Sequence, residues 1–188
     1  MEKIKFSIPW INDLKYLQKI IPQRDCKIYE VFYRPNDLIL GGWEKSRKIL
    51  EFLRKNKISL AMTSTQRSGI LDFDESFKEY LKKTNIIPDR LIVDYFSIKV
   101  VLQNKVIKEN NIKLYISAIV GIKTLADINK LIILKNKYPL IISVCLHHDC
   151  TQDEQLKEKV DLLRKNDIEP ILLVNESCSL GCPYRAEH

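Results

Sequence analysis

Read for the spacing of its apolar positions, the chain alternates short β-branched runs with longer segments of helical period. The runs are Lys3–Ile8, Lys27–Tyr33, Ile58–Thr63, Leu91–Asp94, Lys113–Ala118, Leu140–Leu146 and Pro170–Val174. Between them, Glu44–Asn56 sets Ile49, Leu50, Phe52 and Leu53 on one side and Lys and Arg on the other. Phe77, Tyr80 and Leu81 repeat that spacing, and Thr124–Lys137 and Gln152–Asn166 continue it. The last of these is preceded by Thr151 with Glu154 three residues on, the spacing of a capping box at a helix start. Ser97–Asn110 is open between strand and helix, because its Ile and Val suit either.

Strand and helix in regular alternation predict parallel β-α-β units with right-handed crossovers and helices on the faces. The expected fold class is therefore α/β. No G-x-G-x-x-G or G-x-x-x-x-G-K-[ST] follows any strand run, which removes the commonest reasons for an open doubly wound sheet and favours a TIM-barrel-like arrangement. A closed barrel takes eight strands and typically about 250 residues. This chain supplies seven runs and stops at His188. The expectation is one barrel-like domain over 1–188, incomplete at its C-terminal end. An apolar edge between the first and seventh strands would then invite a second copy or a partner that completes the barrel.

Composition changes this picture little. The 188 residues are 45% hydrophobic and 29% charged, with only 5 Gly and 7 Pro, the balance of a globular protein rich in regular elements. No stretch approaches the roughly 18 consecutive apolar residues that cross a bilayer. The N-terminus lacks a cleavable leader pattern, so a cytoplasmic protein is expected. Five cysteines without regular spacing make no disulfide framework, leaving thiols or metal ligands. The net charge of +7 would suit an anionic partner such as RNA. Its basic residues are spread along amphipathic segments, however, as on a solvated surface, and no dense basic run with interleaved aromatics appears.

In α/β architectures the ligand site lies beyond the carboxyl ends of the strands. The second run is followed there by Arg34, Pro35 and Asn36, and the third by Ser64, Thr65, Gln66 and Arg67. The fourth ends on Asp94, a general base or a helix N-cap by its position. The sixth leads into His147, His148 and Asp149, and the seventh into Asn175, Glu176 and Cys178. All three histidines and four of the five cysteines fall between Cys145 and His188, more than the polarity of loops accounts for.

Within ILLVNESCSLGCPYRAEH, Cys178 and Cys182 stand four apart, with Gly181 and Pro183 opposing a simple helix. Two thiolates so spaced can hold a soft metal or one corner of an iron–sulfur cluster. Zinc is the alternative, held by Cys178, Cys182 and one of His147, His148 or His188. A radical-SAM loop is excluded, since Arg185 stands where its third cysteine would be. The wider pattern resembles the U32 family of collagenase-like, YegQ-type proteins: an apolar strand, then N-x-x-C-x-x-x-C-P-x-R-x-x-H. Its positions here are Asn175, Cys178, Cys182, Pro183, Arg185 and His188. The likeness is close over Leu172–His188 and looser from about Lys113.

The resemblance implies a TIM-barrel-like domain and one of two activities. One is peptidase-like hydrolysis. The other is hydroxylation of RNA bases or of a small quinone precursor by members that carry a [4Fe–4S] cluster. Carried over residue by residue, it makes Cys178 and Cys182 metal ligands. Cys145 and Cys150 are the other thiols that could complete a four-cysteine set, at a spacing that is not the family's. Asn175, Arg185 and His188, with His147 and His148, are the substrate-binding candidates. No Ser/His/Asp order and no H-E-x-x-H names a catalytic residue. A third reading keeps the incomplete barrel as a non-catalytic, partner-binding subunit.

Overall fold

The structure, a computed structural model, describes residues 6–22, 28–64, 73–94, 97–117, 121–147, 150 and 153–172, with backbone alone at 36, 73, 74 and 99. Seven strands form one sheet in chain order, and the strands are parallel and alternate with helices. A doubly wound sheet would reverse its order at a switch point. The unbroken order is that of a TIM-barrel-like fold with seven strands among the described residues where a closed barrel has eight. The chain packs as two compact units, 1–64 with 71–91 and 65–70 with 92–188.

The first unit carries strands β1 (Phe6–Pro9), β2 (Ile28–Tyr33) and β3 (Ser59–Thr63). Its helices are α1 (Leu14–Ile20), α2 (Pro35–Leu40), α3 (Trp43–Lys55) and α4 (Phe73–Thr84). Asp13 starts α1 by accepting the Tyr16 N–H at 3.0 Å, and Pro35 opens α2 where a missing N–H costs nothing. One sheet face, with Val31, Tyr33, Leu60 and Met62, is fully buried together with Ile49, Leu50, Leu53, Phe77 and Tyr80 of the helices. Tyr33 and Tyr80 share a 2.8 Å hydroxyl contact in that layer. Burial pushes the Tyr33 phenol well above its usual range and raises Tyr80 as well.

The other face of this unit is polar near the strands' N-terminal ends. Ser7, Glu30 and Ser59 lie opposite one another across β1, β2 and β3. Both serine hydroxyls donate to Glu30, at 3.2 and 3.4 Å, and the Arg90 guanidinium stands 3.5 Å from the same carboxylate. Arg90 also donates to the Tyr29 hydroxyl at 3.0 Å. The register slips between Phe6 and Ser7, so Tyr29 is an extra residue. Such a bulge re-aims side chains, which lets neighbours in sequence meet one arginine.

The strand β4 (Arg90–Val93) spans the junction in sequence, and the second unit continues with β5 (Lys113–Ile116), β6 (Ile141–Cys145) and β7 (Glu169–Ile171). Its helices are α5 (Ile98–Gln103), α6 (Lys105–Glu109), α7 (Leu125–Lys137) and α8 (Leu156–Lys165). The ambiguous Ser97–Asn110 segment is thus two short helices, broken at Asn104, whose side chain accepts the Ile107 N–H at 3.1 Å. Thr124 and Asp127 form a reciprocal capping box on α7. The box expected at Thr151 and Glu154 falls partly outside the described residues, and the helix begins later than it implied. The next helix opens at Leu156, past Gln155, and Thr151 lies outside the described residues. The cause is local: Asp153 captures the Gln155 N–H at 2.7 Å in a turn that delays the helix.

Three helices end in the same way. At Leu53–Ile58, Ile107–Ile112 and Leu163–Ile168, the final isoleucine N–H reaches back to the first residue's carbonyl at 3.0 Å. The fifth residue is left-handed, with φ of 58°, 51° and 54° for Lys57, Asn111 and Asp167. An Asn at the fourth place donates its side chain to the carbonyl four residues back, at 2.8 to 2.9 Å. This is a Schellman turn, with its apolar contact between the first and last residues, all of them buried. The chain writes it as Leu/Ile, Lys/Arg, any residue, Asn, any residue, Ile. At 81–86 the same frame has Thr84 in the Asn place, bonding to the Tyr80 carbonyl at 2.9 Å, and left-handed Asn85. The motif turns each helix back into the next strand.

Candidate functional site at the C-terminal ends of the strands

In the first unit, Tyr33 ends β2 and Thr63 ends β3, at the same end of paired parallel strands. Thr63 and Ser64 are buried there. The Arg34 N–H donates to Asp37 at 2.8 Å, which fixes the start of α2. Trp10, just past β1, packs its ring 5.8 Å from that of Tyr33, and its buried Nε1 has no partner.

In the second unit, Asp94 follows β4. Its carboxylate accepts both the N–H and the hydroxyl of Ser97 at 2.8 Å, just before α5. The N-cap of α5 is Ser97, the residue to which this carboxylate is bonded.

The strand β6 carries the densest chemistry. Tyr115, Ser143 and Glu169 lie opposite one another across β5, β6 and β7, and Cys145 faces Ile171 one step further on. Cys145 is buried against Tyr115, with Ile92 and Ile171 packed around it. Its thiol leans on the Leu146 carbonyl at 3.7 Å. Ser143 is fully buried and its hydroxyl has no partner. Beyond the strand, the Leu146 N–H bonds to Ile171 and the His147 N–H turns the other way, to Ile122 at 3.1 Å. That alternation continues the extended pleat through His147, so Ser143, Cys145 and His147 occupy one face of β6.

The loop that follows is pinned from two sides. Cys150 is buried, and its thiol points at the carbonyls of Ile122 and Lys123, 3.7 and 3.4 Å away. A protonated thiol suits two carbonyl oxygens, whereas a thiolate would meet them as like partial charges. From the other side Lys159, only 2% exposed on α8, bonds to the Asp153 carboxylate. That bond holds Asp153 below the usual carboxylate range. A lysine so deeply covered needs its counter-charge, so the pair fastens the loop to the helix.

Of the residues singled out from sequence, Cys145, His147 and Cys150 fall on β6 and the segment after it, with the Cys145 and Cys150 thiols in separate surroundings. His148, Asn175, Cys178, Cys182, Arg185 and His188 lie outside the described residues, as does Val174 of the expected rim. Among the described residues, no three His, Cys, Asp or Glu side chains gather as a metal site requires, and no helix is long and apolar enough to cross a membrane. Sequence reading missed Ser143 and Lys159. Alternation from Cys145 could have found Ser143; a lysine on a polar helix face gives no sign that it is buried.

Fold and rim together define an α/β protein of sequential parallel units whose polar groups follow the strand ends. No family model, curated protein or solved structure matches the chain.

Proposed function

We propose that the chain is a U32-like enzyme with a cysteine-ligated metal or iron–sulfur centre at the rim, which hydroxylates RNA or a small cofactor precursor in the cytoplasm. The observation that carries this reading is the sequential strand order, ending in β7. In sequence the Asn175–His188 motif follows β7, and such folds keep their chemistry beyond the carboxyl ends of the strands. Cys178 and Cys182 hold the centre in this reading, and Asn175, Arg185 and His188 meet the substrate. A cluster there would supply electrons to the reaction.

Elemental analysis and visible absorption of anaerobically purified protein test this. Iron with acid-labile sulfide, or zinc, is expected, and Cys178→Ser with Cys182→Ser should abolish it while leaving far-ultraviolet circular dichroism unchanged. Metal-free unsubstituted protein would sink the proposal.

A further inference from the structure

We infer that the outward face of α7 docks the protein on an anionic phospholipid surface. At 1.5 Å per residue, the helix Leu125–Lys137 is about 20 Å long. Its buried residues Ile128 and Leu131 mark the side that packs inward. Ile133 lies about half a turn round from them and is 70% exposed, with exposed Ala126 two turns before it. Lys123, Lys130 and Lys137 recur every seventh residue, nearly two turns, and are all exposed. They form one row along the flank of that apolar strip.

Charge sets α7 apart from the other helices. The exposed faces of α3, α4, α6 and α8 carry ion pairs: Lys48 with Glu44, Lys78 with Glu75, Lys105 with Glu109 and Lys157 with Asp161. Among the described residues, no ion pair engages Lys130 or Lys137. The one acid of α7, Asp127, is turned back on the Thr124 N–H and hydroxyl at 2.9 and 2.8 Å, where it helps to cap the helix.

Lysines beside an exposed apolar residue fit an anionic bilayer, where ammonium groups meet lipid phosphates and the isoleucine enters the acyl boundary. A nucleic-acid backbone would gain nothing from Ile133, and arginine suits its phosphates better. A second copy is disfavoured, since a two-fold contact sets the lysine row against itself. The net charge of +7 draws the whole chain to the same surface. Three lysines and one isoleucine give reversible, salt-sensitive binding, and the site does not depend on a metal at Cys178 and Cys182.

Sedimentation of the full chain with vesicles tests it. Binding is expected to mixed phosphatidylcholine and phosphatidylserine, not to phosphatidylcholine alone, with release in about 1 M salt. Lys130→Gln with Lys137→Gln should weaken binding about 30-fold, at about fivefold for each lysine. Ile133→Asp should weaken it at least about tenfold. Both variants change exposed residues, so circular dichroism should be unaltered, and Lys157→Gln on α8 should leave binding as it was. Equal binding to phosphatidylcholine, no binding to either vesicle, or full binding by either α7 variant overturns the proposal. So does one of two results in place of vesicle binding. An RNA duplex released by the lysine pair would assign the face to nucleic acid, and self-association abolished by Ile133→Asp would assign it to a second copy.

Discussion

Replacing Arg90 by Met tests what the polar sheet face of the first unit is for. Arg90 and Glu30 have side chains 10% and 2% exposed, so the carboxylate relies on protein groups and not on water. Removing the guanidinium leaves that charge beside the Ser7 and Ser59 hydroxyls, which donate weak bonds of 3.2 and 3.4 Å. Breaking one partner from a buried pair costs about 3–5 kcal/mol. Loss of the Tyr29 stacking, with Arg90 5.5 Å from the ring centroid, adds to it. Against a total stability of roughly 5–15 kcal/mol, that is a large share. Urea titration should show the midpoint fall with little change in slope, and Tm should drop by about 2–4 °C for each kcal/mol. Adding Glu30→Gln to Arg90→Met should restore at least half of the loss, since a neutral amide needs no counter-charge. A loss under about 1 kcal/mol in the single variant, or no recovery in the double, would refute the reasoning.

Other substitutions follow from the same geometry. Tyr33→Phe should cost about 1 kcal/mol by removing the bond it shares with the Tyr80 hydroxyl, and the Tyr33→Phe, Tyr80→Phe pair should cost less than the sum of the singles; additive losses in urea would refute the shared bond. Raised phenol pKa values mean that the folded state holds protons the unfolded chain releases, so this pair's contribution is complete below about pH 10 and falls as pH rises above it, read by absorbance at 295 nm alongside unfolding. Thr124→Ala should cost about 1 kcal/mol by thermal melting. Thr124 backbone and hydroxyl bonds hold Asp127 below its usual range. Its contribution is therefore present above about pH 4 and fades as pH falls, so the difference from Thr124→Ala should narrow in acid. Lys57→Gly should raise stability by roughly 0.5–1 kcal/mol, since Lys57 holds φ at 58° on an exposed turn.

The sequence made the strands easy to read because parallel strands are buried on both faces. Runs such as Ser59–Thr63, four of whose five residues are buried, leave no ambiguity of period. Helix starts were harder, because the outcome turned on single hydrogen bonds. Thr124 and Asp127 form the box that spacing alone would equally allow at Thr151 and Glu154, where Asp153 makes a turn instead. Ser97–Asn110 looked undecided because two short helices, joined at a capping asparagine, share no single apolar stripe. The repeated helix ending was fully legible and was missed, since Leu-Arg-Lys-Asn-Lys-Ile and Leu-Arg-Lys-Asn-Asp-Ile stand 110 residues apart, at 53 and 163. In the site, His147 and Cys145 were visible as chemistry-bearing residues beside a strand end. That they share a face with a stranded Ser143 depended on pleat and register, which composition does not carry.

The division of labour along the strands bears on where to look for function. In the first unit, the buried charges Glu30, third residue of β2, and Arg90, first of β4, lie toward the strand entries, beside Ser59, the first of β3. Just before β4, Asp89 takes the Leu60 N–H at 2.8 Å and receives Arg54 at 2.7 Å. These groups are mutually satisfied, and their bonds tie strand to strand or helix to strand. In the second unit, the unsatisfied hydroxyl of Ser143 lies at the corresponding level, mid-strand in β6 and opposite the first residue of β7, with Cys145 at the strand's end. Satisfied polar groups stabilise; a donor buried without an acceptor lowers stability by about 1–3 kcal/mol and persists where something else requires it. Ser143→Ala tests this: if the stranded hydroxyl is a net cost to the fold, the variant should gain about 1–3 kcal/mol in urea titration, and an unchanged or lower midpoint would refute it.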